Sequence, residues 1–409
     1  MSLDVRTRID GEVPPLEPAR FFTVDLPAAL ERTEHLRRPG LARLDLRPLA
    51  IAIDDETFTL VSDGDVSIRT GAVPGALVWP LSRAELGAIA SDESTPIGLY
   101  AGGSLRVPIA DLPLLLDWWL VLRSALDERP LYHPGSVAFA DRSGGPLDLR
   151  RSFRPDDDRE EMSHFLHEAG FLHVTGAFDE AEMEEVSRDM DRAAASYRDG
   201  DGKSWWASTS DGERRLVRMQ GFDERSEATA RLIRDDRLLG LADLSGAGHV
   251  HTGLDSNRIE ALTKPLGVVA GLSDLPWHKD CSLGRHGFDC CSLTVGISVT
   301  GADADSGQLR VVAGSHRALL WPARLVPGHH DLPEIDLPTR TGDLTLHTSC
   351  TLHMSQAPVL RERRVMYTSF RLPDRSPEAT RAARARLREV REMAPVTVSQ
   401  PPSEVAASR

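Results

Sequence analysis

Hydrophobic and polar positions change period several times along this chain. Leu49 to Ile53, Phe58 to Val61 and Val66 to Ile68 are short apolar runs rich in β-branched residues, and Asp63-Gly64 between the last two predicts a hairpin. Ser82 to Ala90 opens with a cap-forming serine and carries Glu85 three residues on, a capping-box pattern for a short helix. Ile97 to Val107 reads as two strand-like pieces around Gly102-Gly103. Asp111 to Leu126 has apolar residues at helical spacing, with Leu114, Leu115, Trp118, Trp119 and Leu122 as its stripe. A Pro-rich leader (Pro14, Pro15, Pro18, Pro27) precedes all of this.

Glycine, proline and arginine dominate Pro134 to Pro155, including Gly144-Gly145-Pro146, which predicts a linker. Beyond it Glu160 to Ala169 predicts a helix ending near Gly170, Phe171 to Val174 a strand, and Asp179 to Ala195 a long acidic helix. Short strand-like runs then prevail: Leu216 to Met219, Leu266 to Ala270, Ser292 to Val299, Leu309 to Val312, Leu344 to Leu346 and Val365 to Phe370. Many short strands separated by turn residues predict a β sandwich or barrel. Arg381 to Arg391 reads as a basic terminal helix and 396–409 as a flexible tail. The expected organisation is a small α+β domain over 1–140, followed by a mainly β domain with flanking helices over 150–395. The first domain resembles the sterol-carrier-protein-like fold over about 40–130, most visibly in Ile97-Gly98-Leu99-Tyr100-Ala101-Gly102-Gly103 and the helix after it. That resemblance implies a carrier, although a dimerisation or partner-binding module, and so a homodimer, fits equally.

The 409 residues carry a formal net charge of -14, which works against nucleic acid or an anionic membrane as the main partner. No apolar run approaches a membrane span, and Met1 to Pro14 has no signal-peptide core, so a cytoplasmic protein acting on a small molecule is expected. Cys281, Cys290, Cys291 and Cys350 show no CxxC spacing, which argues against a zinc ribbon or a disulfide framework.

Candidate chemistry concentrates in the second half. His278 and Asp280 are one residue apart, so on an extended segment both side chains face the same way and can bind one ion. A third ligand must come from another strand; His353 is the better candidate because Ser355 and an arginine follow it, and His347 competes. Two histidines and one carboxylate with open positions suit non-haem Fe(II) and an oxoacid.

These segments resemble the phytanoyl-CoA dioxygenase family over about 160–372. The likeness rests on Phe165-Leu166-His167-Glu168-Ala169-Gly170-Phe171, Leu275-Pro276-Trp277-His278-Lys279-Asp280, Ser306-Gly307-Gln308 through Gly314-Ser315-His316, Gly342-Asp343-Leu344-Thr345-Leu346-His347 and Thr351-Leu352-His353-Met354-Ser355. It implies a double-stranded β-helix, or cupin-like jelly roll, in which His278, Asp280 and His353 hold Fe(II). It also implies that Arg364, eleven residues after His353, and Ser355 bind the far carboxylate of 2-oxoglutarate. Dioxygen then oxidises a substrate while 2-oxoglutarate becomes succinate. Asp280 stands where related halogenating enzymes place a small residue, so hydroxylation is expected over halogenation.

His347 is expected beside the metal and not on it, His316 in a structural turn, and His286, His329 and His330 on the surface. Arg218, Gln220 and Trp277 are candidate substrate contacts. The expected reaction is hydroxylation of a small apolar or lipid-like metabolite, such as an acyl-CoA or a natural-product intermediate. The rival readings are a lipid or metabolite carrier with a non-catalytic metal site, and a zinc-dependent hydrolase.

Overall fold

A computed structural model describes residues 16–92, 94–101, 104–251, 259–271, 275–280, 292–320 and 330–371. The expected helix Arg381 to Arg391, the tail 396–409, Cys281, Cys290, Cys291, His286 and His329 lie outside these residues.

The first core is built from helices packed on a four-stranded sheet. Strands β1 (Leu49–Ile53), β2 (Glu56–Ser62), β3 (Val66–Thr70) and β4 (Leu77–Pro80) lie in the order β3-β2-β1-β4, with β1 and β4 parallel. The hairpin turns at Gly64 (φ 75°), and Ser82 and Glu85 cap helix Arg83–Ala90 reciprocally. Helix Leu112–Leu126 supplies the centre of this core through Leu115, Trp118, Val121 and Leu122. One expectation fails here. Residues 96–101 form a helix, Pro96–Ala101, where strand-like pieces were expected. The Pro-rich leader is helical from Pro18 to Leu41, because Pro18 and Pro27 sit in first-turn positions where a missing N–H costs nothing. A wide π turn at Phe21–Asp25 joins the two prolines' helices.

The second core holds two antiparallel sheets. The larger runs β10 (Val268–Ala270), β6 (Ser204–Thr209), β7 (Arg214–Met219), β9 (Glu260–Lys264), β17 (Arg363–Arg371), β12 (Leu293–Ser298), β15 (Leu344–Thr348), β5 (Phe171–Val174), with β8 (Val250–His251) also on β17. The smaller runs β11 (Leu275–His278), β16 (His353–Ser355), β13 (Leu309–Val312), β14 (Glu334–Leu337). Mixed helices and antiparallel sheets in this order are consistent with a jelly roll.

Alternation along the strands gives the larger sheet two unlike faces. One face carries Val295, Ile297, Leu344, Leu346, Met366 and Phe370, which share a core with Met162, Phe165, Met183 and Val186 of helices Arg159–Ala169 and Glu180–Ala194. By register the other face carries Thr294, Gly296, Ser298, Thr345, His347, Arg363, Tyr367, Glu260 and Lys264. The polar face therefore looks toward the smaller sheet, and a pocket between the two is lined by Gly296, Thr345, Arg363, Tyr367, Leu309 and Leu337.

The segment expected as a linker is packed down: Phe153 is fully buried, and Phe139, Leu147 and Leu149 lie against the second core. The two cores touch where Leu131 bridges to Leu319, Tyr132 Oη donates to Asp331 and Arg129 donates to the His316 carbonyl. Gly342 (φ 83°) ties helix Glu180–Ala194 to the sheet: a Cβ there would meet the Phe178 carbonyl oxygen at 1.9 Å, so only glycine fits. No helix of the described residues is long and apolar enough to cross a membrane.

His316 sits in the turn after β13, its Nε2 2.9 Å from the His167 carbonyl. Burial pushes its pKa down to about 4. The folded state thus keeps it neutral while the unfolded chain takes up a proton near the ordinary value, so stability is lost as pH falls from about 6.5 toward 4. Urea unfolding at pH 7 and pH 4.5 is expected to show a loss for wild type that is smaller by roughly 2 kcal/mol in His316→Gln.

Candidate metal centre

β11 and β16 are antiparallel neighbours with His278 opposite His353. The two rings lie 4.1 Å apart. Asp280, two residues beyond His278, places Oδ1 3.4 Å from His278 Nε2 and 3.5 Å from His353 Nε2. One ligand atom from each of the three residues lies within 4.8 Å of the other two. The donor set, two imidazole nitrogens and one carboxylate oxygen, fits an Fe(II) ion with open positions.

Backbone carbonyls select the tautomer. His278 Nδ1 lies 2.9 Å from the Pro276 carbonyl and His353 Nδ1 2.9 Å from the Thr351 carbonyl. A carbonyl only accepts, so both rings carry their proton on Nδ1 and leave the Nε2 lone pair toward Asp280. Protonation follows from the surroundings. Burial and the neighbouring charge of His347 hold His353 well below the ordinary imidazole range, and so neutral. Burial alone would raise Asp280, but His353, His278 and His347 around it outweigh that and keep its carboxyl well below the usual range. Burial lowers His278, yet its hydrogen bond and attraction to Asp280 prevail and raise it.

His347 is fully buried on β15, its ring 4.2 Å from that of His353 and its Nε2 3.6 Å from Asp280 Oδ2. It lies beside the triad and outside the three-residue cluster.

The structure redistributes the remaining candidates. Ser355 shares the inward face with His353, where its Oγ accepts from Lys264 Nζ at 2.6 Å. Arg364 does not join it. Arg364 faces the helix side of β17, donating to the Ser187 carbonyl and Oγ and pairing with Asp191 at 2.7 Å. Its neighbour Arg363 occupies the inward face instead, 3% exposed, within 2.7 Å of the Gly307 carbonyl and 3.5 Å of both Ser355 Oγ and Tyr367 Oη. Among the described residues its Nε is shut off from solvent and without a partner, and its acceptors are all neutral. Arg363 and Lys264 are directly paired across β17 and β9, so two cations converge near Ser355.

Trp277 also differs from expectation. Alternation with His278 sends it to the outer side of the smaller sheet, where it packs with Tyr132, Val312 and Leu352. Arg218 and Gln220 do reach the polar face, where both bond Glu260 and Arg218 also covers the Trp205 ring at 4.5 Å. Arg363 and Lys264 went unnoticed in the sequence, although parity was available: Arg363 alternates with the apolar Met366 and Phe370, and Arg364 is in phase with them.

The family model for phytanoyl-CoA dioxygenase matches residues 166–361. No curated protein matches the chain, and the sterol-carrier resemblance gains no support. Among solved structures, the chain is similar to the non-haem α-ketoglutarate-dependent epimerase SnoN from nogalamycin biosynthesis, with 21% identity over 52% of this chain and 82% of that one, at a TM-score of 0.42. It is also similar to AviO1 from Streptomyces viridochromogenes Tue57, with 19% identity over 54% and 97% of the two chains and a TM-score of 0.40. A third is EctD from S. alaskensis with 2-oxoglutarate and 5-hydroxyectoine, at 18% identity, 59% and 86% coverage and a TM-score of 0.42. The family match falls on the two-sheet core that holds His278, Asp280 and His353, so residues 166–361 of the chain are similar to a phytanoyl-CoA dioxygenase domain.

Proposed function

We propose that His278, Asp280 and His353 hold Fe(II), that Arg363, Lys264 and Ser355 receive the far carboxylate of 2-oxoglutarate, and that the enzyme hydroxylates a small molecule. The observation that carries this reading is the convergence of two imidazole nitrogens and one carboxylate oxygen at the inner face of the smaller sheet, across from the larger-sheet face that bears a buried arginine with no carboxylate partner among the described residues. When bound, iron and 2-oxoglutarate supply an oxidising chemistry in which dioxygen gives one atom to substrate and one to succinate, with release of carbon dioxide. The protein's own part is orientation and charge. The Pro276 and Thr351 carbonyls aim both Nε2 atoms. Asp280 stays ionised and leaves a site of net charge near +1, which suits a dianionic oxoacid. Arg363 offers a planar fork for a bidentate carboxylate contact, a geometry lysine does not reproduce, and the buried Lys264 adds a second positive charge.

Gly296 keeps this space open, since a Cβ there would meet Thr345 Oγ1 at 2.7 Å and the Tyr367 ring at 3.0 Å. Arg218, Gln220 and Glu260 on the same sheet face support a substrate bearing polar groups over a lipid-like one. The first core, ending near Leu131, is proposed as a separate domain that braces the turn around His316 and Leu319.

Incubation of the full chain with Fe(II), 2-oxoglutarate and air is expected to yield succinate even without substrate, and more when a substrate is present and gains one oxygen. His353→Ala and Asp280→Ala should abolish it; succinate formation indifferent to both would refute the reading. The two arginines are expected to separate. Arg363→Met should raise the KM for 2-oxoglutarate about 30-fold or more, the loss of a charge-assisted pair worth about 2 kcal/mol. Arg364→Met should leave that KM within about 2-fold and cost about 1 kcal/mol of stability or less.

A further inference from the structure

The two oxygens of Asp280 have different surroundings. Oδ1 faces both histidine Nε2 atoms. Oδ2 accepts a hydrogen bond from Thr294 Oγ1 at 2.9 Å and lies 3.6 Å from His347 Nε2. Thr294 and His347 are directly opposite each other in the β12 and β15 ladder, so one register delivers both donors to the same place. His347 is 1% exposed, and neither of its nitrogens has a hydrogen-bond partner among the described residues. A buried imidazole in that condition is costly, and an N–H beside a carboxylate oxygen is the cheapest remedy. The 3.6 Å gap exceeds a hydrogen bond by only about 0.5 Å.

We propose that Thr294 and His347 are positioning residues that together hold Oδ2 of Asp280 away from the metal, so that the carboxylate binds through Oδ1 alone. This rests on the iron site proposed above. The consequence is a coordination number. An aspartate binding through both oxygens would occupy a fourth position, and a chelating oxoacid would then leave none for dioxygen; held by one oxygen, it leaves three. Outer partners of this kind also fix a ligand's orientation, and their loss commonly weakens metal affinity by 10 to 100-fold.

The test is anaerobic Fe(II) titration of the full chain against a chelating dye, followed by addition of 2-oxoglutarate and recording of the visible charge-transfer band, with melting temperature measured for each variant. Thr294→Val and His347→Phe are each expected to weaken Fe(II) binding about 10-fold and to shift the band, whereas Thr294→Ser, which keeps the hydroxyl, should retain wild-type affinity. Wild-type affinity and an unchanged band in both Thr294→Val and His347→Phe would overturn the proposal. So would binding in Thr294→Ser as weak as in Thr294→Val, which would place the effect in packing. Loss confined to His347→Phe would overturn it by making His347 a ligand. Asp280→Ala separates this from the larger claim: if that variant binds Fe(II) as wild type does, the triad itself fails.

Discussion

Strand alternation in the larger sheet is the constraint on which the site depends. β12, β15 and β17 each present apolar side chains to one side, where Met183 and Val186 of an acidic amphipathic helix and Phe165 of another cover them. The other side of the same strands is then free of the duty of forming a core. It can be lined with Thr294, Gly296, Thr345, His347, Arg363 and Tyr367, which a two-layer sandwich could not tolerate at its centre. The helices thus supply the burial that stabilises the sheet, and the interior becomes available for charge.

Charge placed there is organised from the chain outward. Each histidine is fixed by a carbonyl on its own segment, two residues before it, so the ligand atoms are oriented by local backbone geometry and need no distant support. Asp280 depends on the opposite kind of contact, since its second oxygen is met by residues of the facing sheet. Arg363 and Lys264 arrive by cross-strand pairing, which sets their separation from Ser355 by register. A site of this kind tolerates changes in surface loops better than a slip of one residue in β17, because such a slip would exchange Arg363 for Arg364 and send the apolar set inward.

Spacing made the proposed metal triad legible. His278 and Asp280 at i and i+2 must share a face on an extended segment, and His353 with Ser355 repeats that logic on the partner strand. The count of eleven residues from His353 that pointed to Arg364 crosses the turn between β16 and β17, and a turn can change parity without changing the look of the sequence. Phase with Met366 and Phe370 would have corrected it, as adjacency to His278 would have turned Trp277 outward. In the first core, the helical turns around Pro18 and Pro27 carried no sequence expectation, although proline is well suited to a first helical turn. Residues 96–101 form a helix too short for periodicity to distinguish it from a strand.

The most direct measurement is a crystal structure of the full chain grown anaerobically with Fe(II) and 2-oxoglutarate, with anomalous data at the iron edge. The account predicts one iron peak at bonding distance, roughly 2.0–2.2 Å, from His278 Nε2, His353 Nε2 and Asp280 Oδ1, with the far carboxylate of 2-oxoglutarate on Arg363. Iron bound elsewhere, or the carboxylate seated on Arg364, would contradict it.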